Sequence, residues 1–223
     1  MIIKYANILG RSPSALNMKV GNIGRLDPDL KEQGITGLIH GAKMEEEVWN
    51  EFYGNPEYLA YESERLIAEF AKQSIEQSSN IAVEDLPQGV EREMIVRQRV
   101  NQSFFRSAVM SAYNFQCCIS GVGNPALLEA CHIVDWAKDN KNRINPKNGL
   151  CMNPFFHKAY DKHLLTITPD YTILISEELL QHTSETLFKT YLKEINGIKI
   201  LLPDKFLPQR ELLEIHYNNY KMI

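Results

Sequence analysis

The feature that most constrains this chain is a set of polar residues at fixed spacing between Glu129 and Asp161. Residues 117–134 look extended: CCISG, a GVGNP turn and LLEACHIV, the outline of a two-stranded hairpin ending on His132. A polar loop follows over 135–147. After NGLCMN, a short helix is expected from about Pro154 to Lys162. It carries His157 and Asp161 four residues apart, so both project from one face. Strand, loop, strand and helix thus bring His132, Asn148, His157 and Asp161 onto one small scaffold.

The neighbours of these four residues are as specific as their spacing. Leu128-Glu129-Ala130-Cys131-His132-Ile133-Val134-Asp135-Trp136 is followed by Asn145-Pro146-Lys147-Asn148-Gly149-Leu150 and then by His157-Lys158-Ala159-Tyr160-Asp161. This string resembles the HNH nuclease family, with its ββα-metal core. More narrowly, it resembles a restriction-like branch that reads close to "LxAxHIVPW…NPxNGLxLxxxxHxAFD". The likeness extends over about residues 91–176, including the Arg97–Tyr113 stretch and CCISG. It departs at Asp135, where a Pro is usual, and at His163, where a Gly is common.

The resemblance implies roles. His132 would be the base that activates water, and Asn148 would orient that histidine and its loop. His157 and Asp161 would hold a divalent metal. The position before the base often supplies another ligand in HNH sites, and here it is Cys131. Water or nearby Glu129 is the other candidate to complete the shell. A thiolate favours zinc over magnesium. With Cys131 outside the shell, Mg²⁺ or Mn²⁺ is expected, and Zn²⁺ or Ni²⁺ are the alternatives. The chemistry is self-consistent: phosphodiester hydrolysis needs an activated water and charge relief, and an imidazole titrating near ~6.5 is a competent base at neutral pH.

Charge distribution agrees with a nucleic-acid partner. The net charge is −4, which excludes a uniformly basic binder. Residues 1–25 nevertheless carry 4 bases and no acid, and residues 92–163 carry 10 bases against 5 acids. Between them, residues 26–91 hold 15 acids against 4 bases. Phosphates would be drawn to the two basic islands. Arg106, Arg143 and Lys147 are the candidate phosphate contacts in the second island.

In the first island, residues 1–9 read as an apolar helix ended by Gly10. Ser12 and Pro13 start a second helix, running to about Ile23 with Leu16 and Val20 on one face. That is the outline of a helix-turn-helix unit, and it places Asn17, Lys19 and Arg25 toward DNA. An ordinary helical hairpin has the same outline. The chain opens directly inside this first helix, as expected where a further segment precedes it.

Residues 27–41 read as loop, 44–53 and 56–78 as helices, and 78–91 as a linker. In the second of these helices Leu59, Leu66, Ile67 and Phe70 make the apolar face, with Glu62, Glu64 and Glu69 toward water. An amphipathic helix is expected from about Gln102 to Tyr113. Beyond the motif come a hairpin over 164–176 around Pro169-Asp170, a helix over 177–193, a short strand near 196–206 and a closing helix over 209–220.

Cys117, Cys118, Cys131 and Cys151 form no CxxC pair, so a disulfide framework is disfavoured. A structural zinc module using all four remains an alternative. No signal peptide and no run of 18 apolar residues is visible, and a cytoplasmic protein is expected. The reading is an α+β chain: a helical, DNA-binding region over 1–90, then an HNH nuclease domain over 91–223 with C-terminal helices. The expected function is metal-dependent cleavage of double-stranded DNA by a homodimer in bacterial restriction or phage defence. The alternative is a DNA-binding protein with an inactive HNH fold.

Overall fold

The computed structural model describes residues 2–32, 34–35, 41–79, 81–82, 87–136, 139 and 142–221. The expected loops at 27–41 and 135–147 and the linker at 78–91 fall partly outside these residues. The chain forms two compact units, residues 1–101 and 102–223.

In the first unit, α1 (Ile2–Ile8) stops before Gly10, whose φ of +60° suits glycine. The Ser12 hydroxyl accepts from the Ala15 amide, and Pro13 opens α2 (Pro13–Gly24). Both helices stand where the sequence places them. The apolar face of α2 is only partly covered, with Leu16 half-buried and Val20 exposed. The expected loop after it contains a short helix, α3 (Pro28–Glu32), because Asp27 caps it by accepting from the Asp29 amide.

Glu45 on α4 (Lys43–Phe52) is buried and accepts from Lys19 Nζ (2.7 Å), Asn22 Nδ2 (3.1 Å) and the Ala42 amide (3.0 Å). This carboxylate ties α2 to α4, and these bonds hold its pKa below the usual carboxylate range, Lys19 contributing most.

The helix expected over 56–78 is two helices, α5 (Pro56–Phe70) and α6 (Ile75–Ser78). Lys72 turns left-handed at φ +55°, and Ser74 and Gln77 cap one another reciprocally to restart the chain. The turn brings Ser78 onto Glu64 of α5. Accordingly the buried residues of α5 are Ala60 and Ala68, while Leu59, Leu66 and Phe70 are exposed. The expected face holds only in part: Ile67 is half-buried and Glu69 exposed, while Glu62 is half-buried with Arg65 donating to it at 2.9 Å.

The following helix, α7 (Val90–Ala112), begins 12 residues before the expected Gln102. Glu91 and Glu93 in its first turn suit the positive end of the helix dipole. Ile75, Ile81, Val96 and Val100 pack together over its first half.

In the second unit, β1 (Glu129–His132) pairs antiparallel with β2 (Gly149–Met152), Cys131 opposite Leu150 and His132 opposite Gly149. The expected hairpin of CCISG with LLEACHIV does not form. Residues 117–121 are instead a turn closed by Gly121 N–H donating to the Cys117 carbonyl. The Cys117 sulfur accepts from the amides of Ser120 and Asn153, each at 3.4 Å.

Asn153 caps α8 (Pro154–Asp161) by accepting from Phe156 N–H. The hairpin β3 (Leu165–Ile167) and β4 (Ile173–Ile175) forms around Pro169-Asp170 as expected. Helices α9 (Glu177–Gln181), α10 (Leu187–Ile195) and α11 (Arg210–Lys221) complete the unit. The last expected strand reduces to a Thr172–Lys199 bridge, since Pro203 and Pro208 withhold ladder donors. Helices beside two small antiparallel sheets make an α+β fold. No described helix is long and apolar enough to cross a membrane.

Because side chains alternate along a strand, β1 and β2 share two distinct faces. Ala130, His132, Gly149 and Cys151 fall on one, and Glu129, Cys131, Leu150 and Met152 on the other. The second half of α7 covers the first face: Phe105 stacks on His132, and Cys151 Sγ lies 3.4 Å from Met110 Sδ. Helix α8 covers the second, with His157 on Glu129. Cys131 and Cys151 therefore point oppositely, so the four cysteines do not surround one ion. All four are buried free thiols.

Gly149 is what lets α7 lie so close. A Cβ there would stand 2.3 Å from Val109 Cγ2, 3.0 Å from Phe105 Cζ and 3.1 Å from the Pro146 carbonyl. Gly149→Ala should cost ~1–3 kcal/mol by overpacking. Urea denaturation measures this, and a loss within ~0.5 kcal/mol of zero, the range of neutral surface changes, would contradict the close approach.

Candidate functional site

His132 closes β1, and its ring is fixed from three sides. It stacks on Phe105 with ring centroids 3.8 Å apart and planes 9° from parallel. Trp136 meets it edge-on at 5.6 Å. Its Nε2 lies 2.8 Å from the backbone carbonyl of Arg143. A carbonyl only accepts, so Nε2 carries the hydrogen and the lone pair of the neutral ring is on Nδ1. Burial lowers the pKa of His132, with the Arg143 carbonyl partly offsetting it. The imidazole is therefore held neutral and in one tautomer, as a proton acceptor requires.

Asn148 holds the loop that supplies this carbonyl. It is fully buried, and its Oδ1 accepts from Val134 N–H at 2.9 Å. Its Nδ2 donates to the carbonyls of Val134 (3.0 Å) and Asn142 (3.2 Å). The Asn148 backbone carbonyl accepts from Ile133 N–H at 2.9 Å. Both ends of the connection between β1 and β2 thus converge on one amide. Asn148 thus braces the backbone next to the Arg143 carbonyl that His132 meets.

On the opposite face, His157 Nδ1 lies 2.6 Å from Glu129 Oε2. A carboxylate at this spacing takes the Nδ1 hydrogen and leaves the lone pair on Nε2. Nε2 faces Asp161 Oδ2 at 3.6 Å. Cys131, His157 and Asp161 each offer a donor atom, all within 4.8 Å of one another. Among the described residues this is the one such group of three or more His, Cys, Asp or Glu side chains. Cys131 is fully buried, and that burial pushes its thiol well above the ordinary range, helped by the Asp161 and Glu129 carboxylates. Glu129 stands beside the group, as the partner of His157.

His132, His157 and Asp161 line one cavity of about 380 Å³, together with Asp135, Tyr160 and His216. Sequence reasoning missed His216, which comes from α11. Its Nε2 donates to the Tyr160 carbonyl (3.1 Å), its Nδ1 accepts from Thr166 Oγ1 (2.8 Å), and its ring stacks on Tyr160 at 3.6 Å. No local signal marks it, since its partners lie 50 and 56 residues away. His163 also lines the cavity, and adopts φ +54° just past α8, the left-handed position where glycine is usual.

The other sequence candidates are dispersed. Arg106 is exposed but donates to the Leu128 carbonyl at 2.8 Å, bracing the entry to β1. Arg143 lies over Trp136 at 5.3 Å, and the Lys147 carbonyl accepts from Gln209 N–H. In the first unit, Asn17 is exposed and Lys19 is engaged by Glu45.

Residues 117–168 match the family model described as HNH endonuclease. The matched segment contains both strands, α8 and every member of the site from Glu129 to Asp161. It supports an HNH nuclease domain, with nuclease activity, hydrolytic chemistry and DNA as the class of substrate. No curated protein matches the chain.

The lowered pKa of His132 has a consequence for stability. Between its native value and the unfolded value near ~6.5, the unfolded chain binds a proton that native His132 refuses. Stability should fall as pH is lowered through that window. Thermal melts without added metal should show a smaller acid loss in His132→Phe than in the wild type. An identical pH dependence in both would contradict the assignment.

Proposed function

We propose that this protein is a metal-dependent DNA endonuclease that hydrolyses phosphodiester bonds in bacterial restriction or phage defence. The observation that carries the reading is the hydrogen bond from His132 Nε2 to the Arg143 carbonyl, beside the Cys131, His157 and Asp161 donors. In this reading His132 Nδ1 takes a proton from the attacking water, and burial, by lowering its pKa, keeps the ring unprotonated at neutral pH. Asn148 keeps the imidazole aimed. His157 and Asp161 would hold a divalent ion, which would supply charge relief on the phosphate and the leaving oxygen. The donor set suits such a group: one imidazole nitrogen, one carboxylate oxygen and one thiol sulfur lie within 4.8 Å of one another.

Arg106, Arg143 and Lys147 are assigned to phosphates flanking the cut. Asn17 and Lys19 are assigned to backbone contacts by the first unit, where Asn17 is exposed and the Lys19 side chain is 62% exposed beside Glu45. Residues 1–90 then serve DNA binding and 91–223 the nuclease. Duplex cleavage by one site per chain favours a homodimer, since two strands need two cuts. The restriction or defence role rests on the likeness of the motif string, and such a role would be exercised in the cytoplasm.

Supercoiled plasmid, unmodified or carrying modified bases, should be nicked or linearised with divalent metal. His132→Ala should lower the rate ~10²–10⁴-fold, the usual worth of a general base. Asn148→Ala should lower the rate and also the melting temperature, because it strands buried backbone groups worth ~1–3 kcal/mol each. A His132→Ala protein that cuts at the wild-type rate, or a wild type that binds DNA but cuts under no metal, would overturn the reading.

A further inference from the structure

We infer that Cys131 is a metal ligand, and that the site therefore takes a thiophilic divalent ion of the zinc and cobalt class in preference to Mg²⁺. The inference rests on the nuclease reading for the site's purpose, but its evidence is the donor geometry alone. It replaces the sequence expectation of Mg²⁺ or Mn²⁺, which left Cys131 outside the shell.

Three observations carry it. First, Cys131 is on the same strand face as Glu129, toward α8, and its Sγ lies within 4.8 Å of the His157 and Asp161 donors. Second, His157 Nε2 and Asp161 Oδ2 are 3.6 Å apart, too far for a hydrogen bond. Two ligands each ~2 Å from a tetrahedral ion lie about 3.4 Å from one another, so this gap is the span of two ligands. Third, Glu129 already fixes His157 through Nδ1, as outer carboxylates do for metal-bound histidines.

Exposure orders the three donors. Cys131 is fully buried, the His157 side chain is 26% exposed and Asp161 49%. The sulfur thus approaches from the interior and the carboxylate from the solvent side. Three protein ligands with an adjoining cavity match a site that keeps a position open for water or substrate.

The sulfur decides the metal. A coordinating thiol binds as the thiolate, its proton released to solvent, and here the thiolate would lie in a dry interior. A soft metal–sulfur bond compensates that loss. Mg²⁺ demands octahedral oxygen ligands and gives no comparable return.

The test is a titration of the metal-free full-length protein with Co²⁺, followed by absorption spectroscopy. One equivalent should bind with a near-ultraviolet thiolate-to-cobalt charge-transfer band and visible bands of a four-coordinate ion. Cys131→Ser should abolish the charge-transfer band and weaken zinc binding by ~10-fold or more. Cys117→Ser, whose sulfur only accepts amide hydrogen bonds, should keep the band. Circular dichroism establishes that each variant is folded. In the wild type, Zn²⁺ should raise the melting temperature and Mg²⁺ at the same concentration should not, so the inference stands on wild-type protein even where Cys131→Ser unfolds.

Stoichiometric cobalt without a charge-transfer band, or a band that survives in folded Cys131→Ser, would overturn the inference while leaving the nuclease reading intact. Failure of the folded wild type to bind cobalt or zinc would also overturn it. A full charge-transfer band in a protein that never cuts DNA would support Cys131 as a ligand and sink the nuclease reading instead.

Discussion

The side-chain amide of Asn148 is the interaction on which the site depends. It uses one acceptor and two donors, all on backbone groups of the loop that joins β1 to β2. A four-residue strand pair is too short to fix such a loop by its ladder alone. Burying one fully satisfied amide between the two ends does so. An amide in that position with any bond missing would cost more than it contributes. The result is a carbonyl, that of Arg143, presented to His132 Nε2 at 2.8 Å.

The small sheet works as a partition. Its two faces receive different helices, and each face carries a different group of the candidate site residues. Toward α7 the ring of His132 is clamped by Phe105, which Gly149 admits by having no side chain. Toward α8 lie Cys131 and Glu129, which meet His157. One residue step along β1, from Cys131 to His132, changes faces. That step sends the His132 ring toward α7 and the Cys131 sulfur toward α8, while His132, His157 and Asp161 line one cavity. His216 closes the far wall by tying α11 to β3 and α8.

Much of the site was legible in the sequence because it is built from short-range features. His157 and Asp161 share a helix turn, Asn153 and Pro154 announce that helix, and Asn148-Gly149 marks the loop's end. What was not legible depends on partners far along the chain. The strand that pairs with β1 is β2, across a long loop, and not the nearer CCISG segment. Hydrophobic periodicity also named the face of α5 only in part, since Leu59, Leu66 and Phe70 are exposed, and it ran the helix past the turn at Lys72 that brings Ser78 of α6 onto Glu64. The Ser74 and Gln77 capping pair was the overlooked signal for that break. The sequence left the last ligand open between Cys131, Glu129 and water; the face of β1 that Cys131 occupies and its distance to His157 and Asp161 bring it into the group.

The central claim is that the Asn148-pinned loop fixes His132 as its Nε2–H tautomer, with Nδ1 free to accept a proton. Imidazole ¹⁵N chemical shifts and two-bond couplings in the metal-free protein at neutral pH read this directly. The account predicts a protonated Nε2 and an unprotonated Nδ1 for His132, and in Asn148→Ala the averaged shifts of a ring exchanging between tautomers. A wild-type His132 protonated on Nδ1, or one with the same tautomer with and without the Asn148 amide, would contradict it.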